Sequence, residues 1–391
     1  MTGQAPLKIA YLCDESPLNR QFYSGGNTRI YDSLRRHGAE VTVLNTGWHM
    51  AEPLRRLVKR LPMALEMRAR WRLHLLLSRL ISRGVRAELA NGRYDVLFGT
   101  YAFHAMSHVT PPYPMVTAFT SDAMPTPYKR SEIGESFGSF FKPARLLDNW
   151  MLRQETRVIN GIDLALWPSD WLRDSANRFY GMDPKKSFTV PWGANVADPG
   201  ADTAPPILTE GGPLKFLLIG RDWFAKGGPM VAETVRLLRA RGIDARLTVI
   251  GCHPPQDHLS DAITVLGLLD KSVPDQLAQF DAALRGAHFI MQPSFESYGF
   301  AFCEASAYGL PSLCLRVGGV PVWDGVNGHA LPMGSGPVEF ADLAASYVSR
   351  PDAYETLRRT SRQEYETRLN WDAWATRTLE LLAERVAQLR R

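Results

Sequence analysis

KFLLIGRDWFAKGGPMVAETVRLLRARGIDARLTVIG, Lys215–Gly251, reads as one strand–helix–strand unit. Lys215–Gly220 and Ala245–Gly251 are short apolar runs bounded by turn residues, and Met230–Arg241 between them has a helical pattern. Runs apolar on both faces mark strands covered on both sides, and a helix joining two of them implies a parallel sheet. The pattern continues downstream with strands expected at Ile263–Gly267, His288–Gln292 and Ser312–Val317, and a helix at Pro274–Arg285. Upstream it is already present once. Lys8–Cys13, Glu40–Asn45, Asp95–Tyr101, Met115–Phe119 and Leu164–Ser169 read as strands, with a helix at Thr28–His37. Between the two series lies Pro199–Pro213, PGADTAPPILTEGGP, too rich in proline and glycine for a helix or a central strand, and so a linker. The fold class is therefore α/β, two doubly wound parallel sheets facing a central cleft, with ligands expected at the carboxyl ends of the strands.

Composition agrees and removes other classes. A chain of 391 residues has room for two domains, and 45% apolar with 22% charged residues is a globular balance. No run of about 18 uncharged apolar residues exists, which excludes a transmembrane helix. The N-terminus enters a strand-like run without the layout of a signal peptide. Cys13, Cys252, Cys303 and Cys314 show no CxxC spacing, so neither a metal staple nor a disulfide framework is expected, and a reducing cytoplasm is. The net charge, 45 − 40 = +5, is too small to argue for nucleic acid, and no nucleic-acid partner is expected. The charge is concentrated in Glu52–Arg93, where eleven residues are Lys or Arg and three are Glu, with leucines at helical spacing. Such a basic amphipathic helix suits an anionic membrane surface, and equally a helix packed on the sheet with a solvated basic face. The expected location is the cytoplasm, free or peripheral on the inner face of the membrane.

Four loops carry chemistry. In PSFESYGFAFCEASAYGLP, Pro293–Pro311, a helix should start near Phe300 and stop at Gly309, leaving backbone N–H groups around Gly299–Phe302 as a phosphate seat. Glu296 just before that seat and Glu304 one turn beyond it would be repelled by phosphate. They suit hydroxyl groups on either side, a sugar and a ribose, or else are acids favoured by a helix start. In GRDWFAKGG, Gly220–Gly228, Arg221 and Lys226 stand on a loop at a strand's carboxyl end and can clamp a diphosphate. Gly25-Gly26-Asn27 and VGGVP, Val317–Pro321, offer close backbone approach in the same positions of their units. Cys303, beside Glu304, is expected to be a core thiol rather than a nucleophile.

Together these segments resemble the family-4 retaining glycosyltransferases. The likeness rests on Gly220-Arg221 with Lys226-Gly227, on Glu296 and Glu304, and on Gly318-Gly319-Val-Pro ahead of Asp324-Gly325-Val-Asn-Gly328. Pro168–Asp174, Val190–Val196, Gly25-Gly26 with His37–Leu44, and Asn370-Trp371-Asp372 add to it. The resemblance implies a GT-B fold of two Rossmann-like domains. An acceptor-side domain would span residues 1–198 plus about 374–391, with the linker at 199–213. A nucleotide-sugar domain would span 214–373. It implies a hexosyltransferase acting from a UDP- or GDP-sugar on a glycan or lipid-linked acceptor, with retention of configuration and with neither metal nor other cofactor. Arg221 and Lys226 would bind the donor diphosphate, Glu296 the sugar hydroxyls and Glu304 the ribose. Gly299, Phe300 and Ala301 would meet the sugar or distal phosphate, and Gly25 and Gly26 would approach it from the other domain. Many relatives carry a histidine where this chain has Phe119-Thr120-Ser121-Asp122. His104 and Asp122 are the acceptor-side candidates. An epimerase or hydrolase of the same fold, and a nucleotide-sugar-binding relative without turnover, are the alternatives.

Overall fold

The computed structural model describes residues 5–20, 22–45, 51–58, 60, 63–136, 147–200, 207–209 and 211–391. The chain forms two compact units, Met1–Trp192 with Trp371–Arg391, and Gly193–Asn370. In the first unit a six-stranded parallel sheet holds β1 (Lys8–Cys13), β2 (Glu40–Val43), β3 (Val96–Thr100), β4 (Val116–Thr120), β5 (Leu164–Trp167) and β6 (Ser187–Thr189). Its order is β2-β1-β3-β4-β5-β6. In the second, β7 (Leu214–Ile219), β8 (Ala245–Ile250), β9 (Ile263–Gly267), β10 (Phe289–Gln292), β11 (Ser312–Leu315) and β12 (Gly328–Leu331) form a parallel sheet ordered β12-β11-β10-β7-β8-β9.

The strand order places the candidate loops. In the first sheet the chain moves outward from β1 to β2, then crosses to β3 on the other side of β1. In the second it moves from β7 through β9, then crosses to β10 on the other side of β7. Where the direction reverses, the two central loops diverge to opposite faces and leave a crevice at the carboxyl edge, the place where open α/β sheets bind ligands. The loops in question follow β1 and β3 in one unit and β7 and β10 in the other.

Central strands are buried along their whole length, as their continuous apolar runs require. The last helix, Trp371–Leu389, belongs to the first unit. Its Asp372 meets Arg36 at 3.2 Å, and Trp374 packs edge-on against Phe98 of β3. The unit boundaries fall at Trp192 and Trp371, whereas they were expected after 198 and near 374. Gly193–Asp198 packs on the second unit: the Ala194 N–H donates to Leu369 O at 3.0 Å, and Arg362 pairs with Asp198 at 2.8 Å. Two short strands were not expected. β6 has three residues, and β12 opens with Gly328, the last residue of the Asp324–Gly328 segment.

Candidate functional site

The loops after β7 and β10 meet in the second unit. Trp223, buried and donating its indole N–H to His258 at 2.7 Å, anchors the first loop. Gly227 caps the helix Gly228–Ala240 with φ of 75°, and a Cβ there would stand 2.6 Å from the carbonyl oxygen of Pro293. Only glycine permits both the left-handed backbone and that approach. The approach brings Lys226 to Glu296, whose Oε1 accepts from Lys226 Nζ, from Gln292 Nε2 at 2.9 Å and from Ser294 Oγ at 2.8 Å. Among the described residues Oε2 has no protein partner. Arg221, at the root of the same loop, is exposed and makes no ion pair among the described residues.

The helix after the second loop starts as expected, at Phe300, and runs to Ala307. Gly299 caps it with φ of 94°, so the first turn, which includes Ala301, opens at the crevice, and the Phe302 N–H turns back to the Gly299 carbonyl at 3.2 Å. Glu304 on this helix is buried and accepts at Oε1 from Lys271 Nζ at 2.9 Å. Lys271 also lies 4.1 Å from the centre of the Phe280 ring. Sequence reasoning did not single out Lys271; its only signal is a cation just past the carboxyl end of β9. Cys303 is fully buried, and burial pushes its thiol up to about 12, so it stays neutral. Two carboxylates thus flank one helix start, each already matched to a lysine, with one exposed arginine beside them. This set can clamp an anion and accept from hydroxyls on both sides of it.

In the first unit, Gly25 caps the helix Gly26–Arg36 with φ of 83°. Tyr23, Ser24 and Tyr101 also have positive φ, 52°, 53° and 60°, and the two tyrosine rings stack at 3.9 Å. Strain at three non-glycine residues is concentrated in the loops after β1 and β3. His104 is buried, and its Nε2 lies 3.0 Å from Asp14 Oδ1, so its carboxylate partner is Asp14 and not Asp122. Asp122 is half-buried and helps burial to push the Tyr101 phenol well above its ordinary range. Thr120 is closed over by Trp192, whose indole N–H donates to Thr120 Oγ1 at 3.2 Å. The basic stretch is not uniformly solvated. Arg55 is buried and bonds the Glu15 carboxylate and the Asp14 carbonyl, the latter at 3.1 Å.

Residues 213–349 match the family model described as glycosyl transferases group 1, and residues 27–198 match the one described as glycosyltransferase family 4. Both units thus carry a glycosyltransferase segment, the first of them of family 4. The first matched segment contains Arg221, Lys226, Lys271, Glu296 and Glu304. The chain is similar to the D-inositol 3-phosphate glycosyltransferase of Corynebacterium glutamicum (strain R), with 30% identity over 258 residues. That match covers 60% of this chain and 60% of the relative, so it spans about three fifths of the curated protein. Its fold is similar to that of sucrose-phosphate synthase from Thermosynechococcus elongatus, with a TM-score of 0.68, 16% identity, and coverage of 98% of this chain and 100% of that one. The apo lipopolysaccharide outer core galactosyltransferase WaaB aligns with a TM-score of 0.65 at 14% identity, over 97% of this chain and 100% of that one. The two parallel sheets and these neighbours make the architecture GT-B, two Rossmann-like units.

Proposed function

We propose that this protein transfers a hexose from a nucleoside-diphosphate sugar to an acceptor hydroxyl, with retention of configuration. One observation carries the reading: Glu296 and Glu304, each matched to a lysine, flank a helix start at the switch point of the second sheet. In this reading Glu304 accepts from the ribose hydroxyls. The Glu296 Oε2 accepts from the sugar. Arg221, Lys226 and the first-turn amides near Phe300 and Ala301 hold the diphosphate and stabilise it as it leaves. The bond between the anomeric carbon and the phosphate oxygen breaks while the acceptor oxygen attacks from the same face, and the departing phosphate oxygen takes the acceptor proton. Fixed cations do the work of a metal in this scheme. UDP- and GDP-sugars are the donors to test.

On the acceptor side, the reading is a glycan or lipid-linked acceptor reached at an anionic membrane surface. The helix Met63–Ala90 supports it: Leu76, Arg79, Arg83 and Arg86 are exposed along one side, while Ile81, Val85 and Leu89 are buried. No helix among the described residues is long and apolar enough to cross a membrane. His104, being enclosed, is a weaker acceptor contact than Asp122 in this arrangement.

The deciding experiment is a thermal-shift panel of UDP, GDP and their sugars, first without metal and then with Mg²⁺. Ligands that bind the native state raise the melting temperature by mass action. A metal-independent rise with one nucleotide series, followed by transfer or donor hydrolysis, is the expected result. No rise with any nucleotide would overturn the donor-site reading.

A further inference from the structure

The switch point of the first sheet holds a cluster that the donor side of the glycosyl-transfer reading does not use. Asp14 comes from the loop after β1 and His104 from the short helix Phe103–Met106 after β3, while His74 comes from the helix Met63–Ala90. All three are buried, at 5%, 1% and 0% exposure, and one ligand atom from each lies within 4.8 Å of the other two. The two imidazole rings are in contact, 3.6 Å between centres with their planes inclined by 30°, and Asp14 Oδ1 lies 3.0 Å from the His104 Nε2. The other ring nitrogen of His104, Nδ1, is buried without a hydrogen bond among the described residues. A buried polar atom left so is uncommon and asks for an explanation.

From this geometry we infer that Asp14, His74 and His104 form a binding site for a first-row divalent transition metal, with Zn²⁺ the best match. One carboxylate oxygen and two imidazole nitrogens are a borderline ligand set, which suits zinc rather than Mg²⁺ or Ca²⁺. Zinc bonds of about 2.0–2.1 Å put tetrahedral ligand atoms roughly 3.4 Å apart. The cluster reaches that spacing as the two rings open and turn their nitrogens toward the ion, leaving a fourth position for water. Arg55 supports the loop from outside by holding the Asp14 carbonyl and the neighbouring Glu15 carboxylate. The ligands come from three distant segments and are enclosed, so uptake accompanies folding. The site would tie the loops after β1 and β3 to the long helix. It stands whether or not the chain transfers sugar, because Arg221, Lys226, Glu296 and Glu304 belong to the other unit.

The test uses the whole untagged chain, refolded with one equivalent of Zn²⁺ or Co²⁺ after chelator treatment. Expected are one retained metal per chain, visible Co²⁺ absorption bands typical of low-coordinate sites and displaced by Zn²⁺, and a melting temperature lowered by chelator. Asp14→Asn, His74→Gln and His104→Gln should each weaken metal binding at least about a hundredfold. X-ray absorption of the zinc protein reads the ligand set without any variant: nitrogen and oxygen scatterers with two imidazoles and no sulfur. A wild-type chain that retains no metal, a folded variant that binds as the wild type does, or a sulfur shell would each overturn the site. The first of these would leave Asp14 and His104 as a buried hydrogen-bonded pair beside His74.

Discussion

Arg221→Ala should weaken nucleoside-diphosphate binding more than Lys226→Met does, although both cations stand on one loop. A hydrogen bond to a charged group contributes about 1.5–3 kcal/mol. Arg221 is exposed and has no ion-pair partner among the described residues, so a bound diphosphate gains its contact without breaking another. Losing it should raise Kd about 10- to 150-fold. Lys226 is different, because it must leave Glu296. The two side chains are 27% and 17% exposed, and a pair so placed forfeits about 1 kcal/mol when broken. The net contribution of Lys226 is then about 0.5–2 kcal/mol, or roughly 2- to 30-fold in Kd. Glu296 keeps Gln292 and Ser294 as donors in Lys226→Met, which protects the fold of the loop. Glu296→Gln provides the complementary arm. It releases Lys226 and should tighten binding of the bare diphosphate up to about fivefold, while the sugar-bearing donor gains nothing. Isothermal titration with UDP and GDP, in metal-free buffer, measures all three variants. The reasoning fails if Arg221→Ala binds as the wild type does, or if Lys226→Met is the more damaging change and Glu296→Gln has no effect.

Glu304→Gln should remove the preference for a ribose: the wild type is expected to bind UDP or GDP about tenfold more tightly than the 2′,3′-dideoxy analogue, and the variant equally. An undiminished preference in titration of the variant would take Glu304 out of the ribose contact. Glu155, buried between the Thr126 N–H and the Tyr180 hydroxyl, is pushed up to about 7 by burial, from an ordinary 4.5. The folded state therefore holds a proton there that the unfolded chain has lost. Its stabilisation is complete below about pH 4.5 and is lost as pH rises through 7, up to about 3 kcal/mol. Glu155→Gln should flatten that decline, so that calorimetry shows the variant gaining on the wild type between pH 5 and 8. Parallel pH profiles would refute it.

The donor side was legible because its chemistry is contiguous. Arg221 and Lys226 are five residues apart, and Glu296 and Glu304 straddle one helix start, so a strand-then-helix reading already sets them on one edge. Their partners were less legible. The Lys226–Glu296 contact depends on Gly227 meeting Pro293, and Lys271 reaches Glu304 from another strand's end, contacts set by the β7–β10 adjacency and by the β8–β9 edge. Strand type could be read from apolar runs, whereas β6 and β12 are too short or too glycine-rich to show a period.

The first unit shows why a site can be invisible in a chain whose fold is plain. Asp14, His74 and His104 have no spacing that a metal motif would display, and each alone reads as an ordinary buried polar residue. What joins them is strand order. The chain builds β2 on one side of β1 and β3 on the other, so the loops after β1 and β3 part over the same edge, and the long helix that links β2 to β3 delivers His74 across them. The same crossing concentrates the positive-φ residues Tyr23, Ser24 and Tyr101 in those two loops, a backbone cost of about 1–3 kcal/mol each that packing elsewhere must offset. Strained backbone and buried polar groups gathered at one switch point, in a sheet whose central strands β3 and β5 are buried along their whole length, mark that edge as maintained for something other than stability.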